Sequence, residues 1–356
     1  MNIKSRIAAL ALLAPLAGCS SVVDGGEAAP LGTTKEAIVG DHYAYGFAWV
    51  NPPNPVYPDY SFNSGGATNT YTGSNGIYQV TMPELGVSGG TVQVVSYGGS
   101  PTRCKVQSWY PSGGAQIINV RCHDTNGLLA SSPFVVFFNK GNDLAGGRLG
   151  HLYFSGSSVP AGYSYNSSGG TNSVTRTSLG HYNAFLPGLS FSNAGVHVTA
   201  YGSGPEFCNI VGWGDTEVSI RCNDKDGNPA DSAFVLNYSE TTPRPERVGG
   251  HAWVVGLSAP SDYQFEQPVY ACGAVAPITV SGSTDVTYPN TRPTAWSQAT
   301  MVLATAYGET GNFCKVQGWT WTSTGYVTHT ACFTPSGAPI STPFTSSLMG
   351  DWAAPC

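Results

Sequence analysis

One pattern recurs three times and constrains the fold more than any other feature: Tyr-Gly-x5-Cys-x-[Val/Ile]-x2-Trp. It runs from Tyr97 to Trp109, from Tyr201 to Trp213 and from Tyr307 to Trp319. A second block, Cys-x4-Gly-x6-Phe, follows each copy, at Cys122, Gly127 and Phe134, at Cys222, Gly227 and Phe234, and at Cys332, Gly337 and Phe344. The first Cys returns after 104 and then 106 residues. A period of that length is too long for a propeller blade or a solenoid coil, and it leaves each copy enough chain for a core of its own. Upstream, Tyr60 and Phe62 match Tyr163 and Tyr165, whereas the third copy keeps only Tyr263-Gln264-Phe265 and diverges as far as Trp296.

Forty-five Gly and 25 Pro separate short runs rich in Val, Tyr and Phe, with turn signals about every 8–12 residues. In copy one the clearest strands are residues 90–97, 104–110, 115–122 and 133–139, among seven or so in all. The expectation is an all-β chain of three tandem, disulfide-stapled β-sandwich repeats, jelly-roll-like or Ig-like. They span residues 42–140 and 148–240, with a divergent third over 248–356. The stiff Pro243-Arg244-Pro245 at the second junction cannot continue a ladder. Separate domains on a string are therefore expected.

Of nine Cys, six fall into pairs by register. Cys104/Cys122, Cys208/Cys222 and Cys314/Cys332 each straddle a turn signal, at Gly113-Gly114, at Gly214-Asp215 and at Thr322 to Gly325. Cross-strand partners at a non-hydrogen-bonded site of a hairpin are within disulfide reach. Each such bridge contributes roughly 3 kcal/mol in the chain-entropy model. Cys272 and Cys356 remain. Their pairing would tie the last residue back onto repeat three; a labile thiol pair or intermolecular bonding is the alternative.

The N-terminus has Lys4 and Arg6, a short apolar run from Ile7 to Leu16, and then Leu16-Ala17-Gly18-Cys19. The run is about half of what a spanning helix needs. These four residues resemble the lipobox of bacterial lipoproteins. The resemblance implies a signal peptide over residues 1–18, removed before Cys19, and fatty acyl chains such as palmitate on Cys19. Two or three chains hold a protein to its bilayer where one does not. Ser20 after the lipid site points, by the rule of that family, to the outer membrane or cell surface. Residues 19–41 read as a flexible tether, a coil reaching roughly 25 Å. Everything beyond Cys19 then lies in an oxidising compartment that permits disulfides. Loss of Lys4 and Arg6 leaves 13 basic against 21 acidic residues. No basic stripe exists, which excludes nucleic acid as a partner.

No established catalytic motif is present. His151 and His251 take matching places in repeats two and three, with Phe47 there in repeat one, which suits a packed strand end. Asp224 and Asp226 invite a calcium reading, but Gly227 stands before the third oxygen ligand, and a Gly-dependent turn explains the pattern. Trp109, Trp213 and Trp319 stand five residues after a Cys and should face away from the disulfide on a regular strand, unless a bulge or a neighbouring repeat covers them. With Tyr60, Phe62, Tyr163 and Tyr165, set among Asn and Ser, they are the candidate ligand-binding residues, since an exposed ring beside amides and hydroxyls suits a sugar. Residues 42–350 resemble uncharacterised Cys-containing tandem β-repeats of secreted bacterial proteins, which implies fold and location only. The reading is a non-enzymatic surface lipoprotein that binds glycan or a surface protein with three-site avidity, or serves as an envelope spacer. The rival is a polysaccharide-active hydrolase using Asp285 or Glu309 with Asp262 or Glu266 in repeat three.

Overall fold

The computed structural model describes residues 43–141, 148–189, 193–240, 247–260, 264–267, 277–282, 284–289, 299–323 and 325–353. Cys19, the tether, Asp262, Cys272 and Cys356 lie outside them, as do residues 142–147 and 241–246 at the two junctions.

Repeat one has eight strands: β1 (Tyr43–Val50), β2 (Ser61–Asn63), β3 (Thr70–Ser74), β4 (Ile77–Met82), β5 (Thr91–Ser96), β6 (Arg103–Ser112), β7 (Ala115–His123) and β8 (Phe134–Gly141). Repeat two continues with β9 (Leu149–Phe154), β10 (Ser164–Asn166), β11 (Ser173–Ser178), β12 (His181–Phe185), β13 (Gly195–Tyr201), β14 (Phe207–Gly214), β15 (Glu217–Asn223) and β16 (Ala233–Ser239). Repeat three holds β17 (Arg247–Val254), β18 (Gln264–Gln267), β19 (Thr279–Ser281), β20 (Asp285–Tyr288), β21 (Thr300–Ala306), β22 (Phe313–Thr322), β23 (Gly325–Phe333) and β24 (Phe344–Ala353). Each repeat is a sandwich of two antiparallel sheets, β2-β1-β8-β5 facing β3-β4-β7-β6 in repeat one and the same order in the others. The all-β expectation holds.

The hairpins behave as their turns require. Ser112 pairs with Ala115 across Gly113-Gly114, both at positive φ, and Asp215-Thr216 does the same in repeat two. That register sets each Cys opposite its partner. Disulfides join Cys104 to Cys122, Cys208 to Cys222 and Cys314 to Cys332, with Cα atoms 3.9–4.0 Å apart.

Separate domains on a string are not what forms: Ala37–Cys356 is one compact unit. The reason lies in β8. Phe134, Val136 and Phe138 fill the core of repeat one with Val80, Val94, Ile118 and Val120. Val135 and Phe137 point the other way and are equally buried, among Met301, Leu303 and Leu348 of repeat three. Val235, the counterpart of Val135, packs in turn on repeat one. At the third seam the matching positions are polar: Thr345 Oγ1 donates to Val196 O (2.8 Å) and Ser347 Oγ lies 2.6 Å from His197 Nε2.

Backbone pairing closes the ring. Each Tyr-Gly docks parallel to the Cys-x-[Val/Ile] strand of the preceding copy: Tyr201 beside Val106, Tyr307 beside Ile210 and Tyr97 beside Val316. Gly202, Gly308 and Gly98 donate their N–H groups to the Val106, Ile210 and Val316 carbonyls at 2.9, 2.8 and 2.9 Å. Repeat one thus binds repeat three, three binds two, and two binds one.

The turn after the second Cys locks the ring again. Gly127, Gly227 and Gly337 all have positive φ. Each also abuts a neighbour: a Cβ on Gly227 would stand 2.4 Å from Pro335 Cγ, and one on Gly337 would stand 2.9 Å from Pro101 Cγ. Glycine is needed there for closeness as well as for the turn.

Candidate functional site

A one-residue bulge follows Val106, Ile210 and Val316, before the pairing resumes at Ser108, Gly212 and Gly318. The extra residue reverses the side-chain alternation. Trp109 therefore falls on the core side of its sandwich rather than the outward side expected of a regular strand, and is only 6% exposed.

The Tyr of the next Tyr-Gly meets each of these Trp rings edge to face. Trp109–Tyr201, Trp213–Tyr307 and Trp319–Tyr97 all have ring centroids 5.7 Å apart, at 83–89°. Tyr153 and Tyr163 complete the cluster around Trp109, and Trp253 joins Trp213. Around Trp319 stand Tyr60 and, through Tyr97, Trp49. Edge-to-face pairs add about 0.5–1.5 kcal/mol each beyond their burial. These rings are first of all the glue of the ring of repeats.

Of the sequence-derived candidates, Trp109 meets Tyr163 at one seam and Trp319 meets Tyr60 at another, while Trp213 at the third meets Tyr307 and Trp253, which were not candidates. Phe62 packs on Tyr45 and Phe47 in the apolar seam between repeats one and three, away from the Trp319 ring in these contacts, and Tyr165 lies against His151. The three seams differ at the surface. In the one between repeats three and one, Tyr57 stacks on Trp49 (5.7 Å, 24°) and Tyr60 meets Trp49 at 5.3 Å. Tyr57 and Tyr60 are 38% and 36% exposed. Trp49 and Tyr57 were not singled out from sequence. The available signal was Tyr57, three residues before Tyr60, where repeats two and three have Pro160 and Pro260. Exposed Tyr57, backed by half-buried Trp49 and close in sequence to the exposed Asn54 and Asp59, offers a ring that can take the C–H face of a sugar.

A second cluster lies where all three repeats meet. The matching residues Arg103, Phe207 and Phe313 converge, with the guanidinium 4.6 Å from one ring centroid and 5.0 Å from the other. Burial pulls Arg103 down to about 10. Each residue of the next matching triplet bonds to a neighbouring repeat: Lys105 Nζ to Glu206 (3.0 Å), Asn209 Nδ2 to Asn312 O (2.7 Å) and Thr310 O (3.0 Å), and Lys315 Nζ to Ser100 O (2.7 Å) and Thr102 Oγ1 (3.1 Å). Burial lowers Lys105 and raises Glu206, but Lys105 beside it outweighs burial and leaves the Glu206 carboxyl below its usual value. Lys315 has no carboxylate within this set, and burial lowers it to about 7. The cavity there holds about 60 Å³, room for little more than water.

The acidic turn satisfies itself. Asp224 Oδ1 accepts the Asp226 and Asn228 N–H groups at 2.9 Å each, while Asp226 pairs with Lys225 at 2.6 Å. Among the described residues no three His, Cys, Asp or Glu side chains converge as a metal site would. Of the carboxylates weighed for hydrolysis, Asp285 pairs with His329 (2.9 Å) and Glu309 with His181 (3.3 Å), while Asp262 and the side chain of Glu266 lie outside what the structure describes. His151, His197 and His251 are buried, and burial lowers them to about 3, 3 and 4.

Comparison with known protein families, curated proteins and solved structures gave no match.

Proposed function

We propose that this chain is a non-catalytic lipoprotein of the bacterial envelope, held at the outer membrane or cell surface through Cys19, whose ring of repeats presents Trp49, Tyr57 and Tyr60 to a glycan. The observation that carries the reading is an asymmetry. Three matching aromatic clusters seal three seams, yet one extends to solvent through Tyr57, a ring without counterpart in the other repeats. Solvent exposure of stacked aromatic surface is otherwise a cost to a soluble fold. One platform on a fused body also replaces the expectation of three independent weak sites acting by avidity, since the repeats cannot be separated without uncovering Val135, Phe137 and Val235.

The test is a glycan array and a panel of insoluble polysaccharides, probed with the delipidated protein. Wild type should bind a subset. The Tyr57→Ala, Tyr60→Ala double variant should lose at least about tenfold in affinity, about 1.4 kcal/mol, with its melting temperature held within a few degrees. No bound glycan, or equal binding by the variant, refutes the proposal. For the anchor, Cys19→Ala should move the protein from the membrane to the soluble fraction; retention on membranes would contradict lipidation.

A further inference from the structure

Repeats one and two cap a sheet edge whose equivalent in repeat three no described residue caps. In repeat one the Gly76 carbonyl at the β3–β4 turn accepts the Cys122 N–H at 2.9 Å. The fit is close: a Cβ on Gly76 would stand 2.6 Å from Cys122 O and 2.7 Å from Ala130 N. Repeat two does the same, with Cys222 N–H donating to Gly180 O at 2.7 Å. In repeat three the hairpin is two residues shorter. Asp285 opens β20 opposite His329, whereas Ile77 opens β4 opposite Arg121, the counterpart of Ala331. The last bond outward from β23 there is Thr330 N–H to Thr284 O at 3.0 Å. Among the described residues, no carbonyl accepts the Cys332 N–H as those of Gly76 and Gly180 accept the Cys122 and Cys222 N–H groups.

Beside that amide lies a cleft of about 440 Å³, walled by Gln317, Phe333, Pro339 and Ile340 and, across the seam with repeat one, by Gly99. None of its described lining residues is charged. Ile340 is 39% exposed at its rim. An unpaired backbone edge is a template for another strand, and main-chain bonds to it give affinity while the adjoining pocket selects side chains.

We infer that this cleft takes an extended, uncharged peptide segment of a partner protein, whose backbone supplies the carbonyl that Gly76 and Gly180 supply in the other repeats. The chain itself shows what fits. The same place in the same fold is filled twice by the backbone of a glycine-containing turn, Asn75-Gly76 and Leu179-Gly180, bonded to the same amide of the second Cys. Occupancy would bridge repeats three and one, because the walls come from both.

The experiment uses the delipidated full chain and a synthetic peptide with the sequence of residues 74–78, blocked at both ends. Amide hydrogen exchange is followed at Cys122, Cys222 and Cys332. In the free protein Cys332 should exchange at least about tenfold faster than the other two. Peptide at about 1–5 mM, the weak regime expected of five residues, should slow Cys332 alone. Ile340→Lys, which changes only an exposed rim residue, should remove that slowing. Equal protection of all three amides in the free protein would overturn the inference. So would an unchanged Cys332 amide at 5 mM peptide, on the order of the weakest binding considered, or the same slowing in Ile340→Lys.

Discussion

His197 offers a direct measure of how dry the seam between repeats two and three is. Its ring lies between Thr305 Oγ1, 3.0 Å from Nδ1, and Ser347 Oγ, 2.6 Å from Nε2. Burial, with His251 as a lesser cause, lowers it to about 3. In the unfolded chain the same side chain titrates near 6.5. A group whose folded value is depressed in this way leaves stability whole above the unfolded value and removes it as pH falls towards the folded one. Each pH unit below 6.5 costs about 1.4 kcal/mol, so at pH 5 His197 has removed about 2 kcal/mol relative to pH 8. The matching residue of repeat one is Gln93, which makes His197→Gln a substitution the fold already accommodates at that place. At pH 8 the variant should lose about 1–2 kcal/mol through poorer hydrogen bonding. At pH 5 that deficit should shrink by about 2 kcal/mol, leaving it level with wild type or above it. Urea unfolding followed by Trp fluorescence at both pH values reads the difference. His151 and His251 act in the same direction, and Glu240, which burial raises to about 7, acts in the opposite one. All three are common to both proteins and cancel in the comparison. An identical deficit at pH 8 and pH 5 would refute the buried, neutral histidine.

Removing one staple, as Cys208→Ser with Cys222→Ser, should cost roughly 3 kcal/mol in urea unfolding of the oxidised protein, and no change would mean the bridge constrains little. Gly227→Ala places a methyl 2.4 Å from Pro335 Cγ at a positive φ. It should destabilise by at least about 2 kcal/mol, whereas Gly169→Ala, also at positive φ but with open space around it, should cost about 1 kcal/mol; equal losses would mean that the turn alone, and not the neighbouring repeat, requires glycine at 227.

Much of each sandwich was legible because its signals are local. Turn signals at Gly113-Gly114 and, one residue short of the actual Asp215-Thr216 turn, at Gly214-Asp215 point to the register, and register fixes the three disulfides. The closure of the ring was less legible, because its parts lie about 100 residues apart along the chain, at positions no local rule connects. One sign was present: Phe134-Val135-Val136-Phe137-Phe138 does not alternate, and an unbroken apolar strand is one buried on both faces. In repeat three that sign is gone, since Thr345 and Ser347 make the same contact with hydrogen bonds. The orientation of Trp109 stays open in the sequence, between outward on a regular strand and inward at a bulge, for a different reason. An inserted residue such as Gln107 has no composition of its own, so nothing in the odd step from Cys104 to Trp109 chooses between the two, and the bulge after Val106 decides for the inward one. Tyr57 was missed because its significance depends on rings that the fold, and not the sequence order, assembles beside it.

The most direct test of a closed ring is hydrogen exchange at three amides, those of Gly98, Gly202 and Gly308, each bonded to a carbonyl of the neighbouring repeat. The account predicts that all three are protected to the same degree as the ladder amides of β8, because opening any one seam uncovers the core of the next. Exchange of even one of them at the rate of an exposed loop would contradict it.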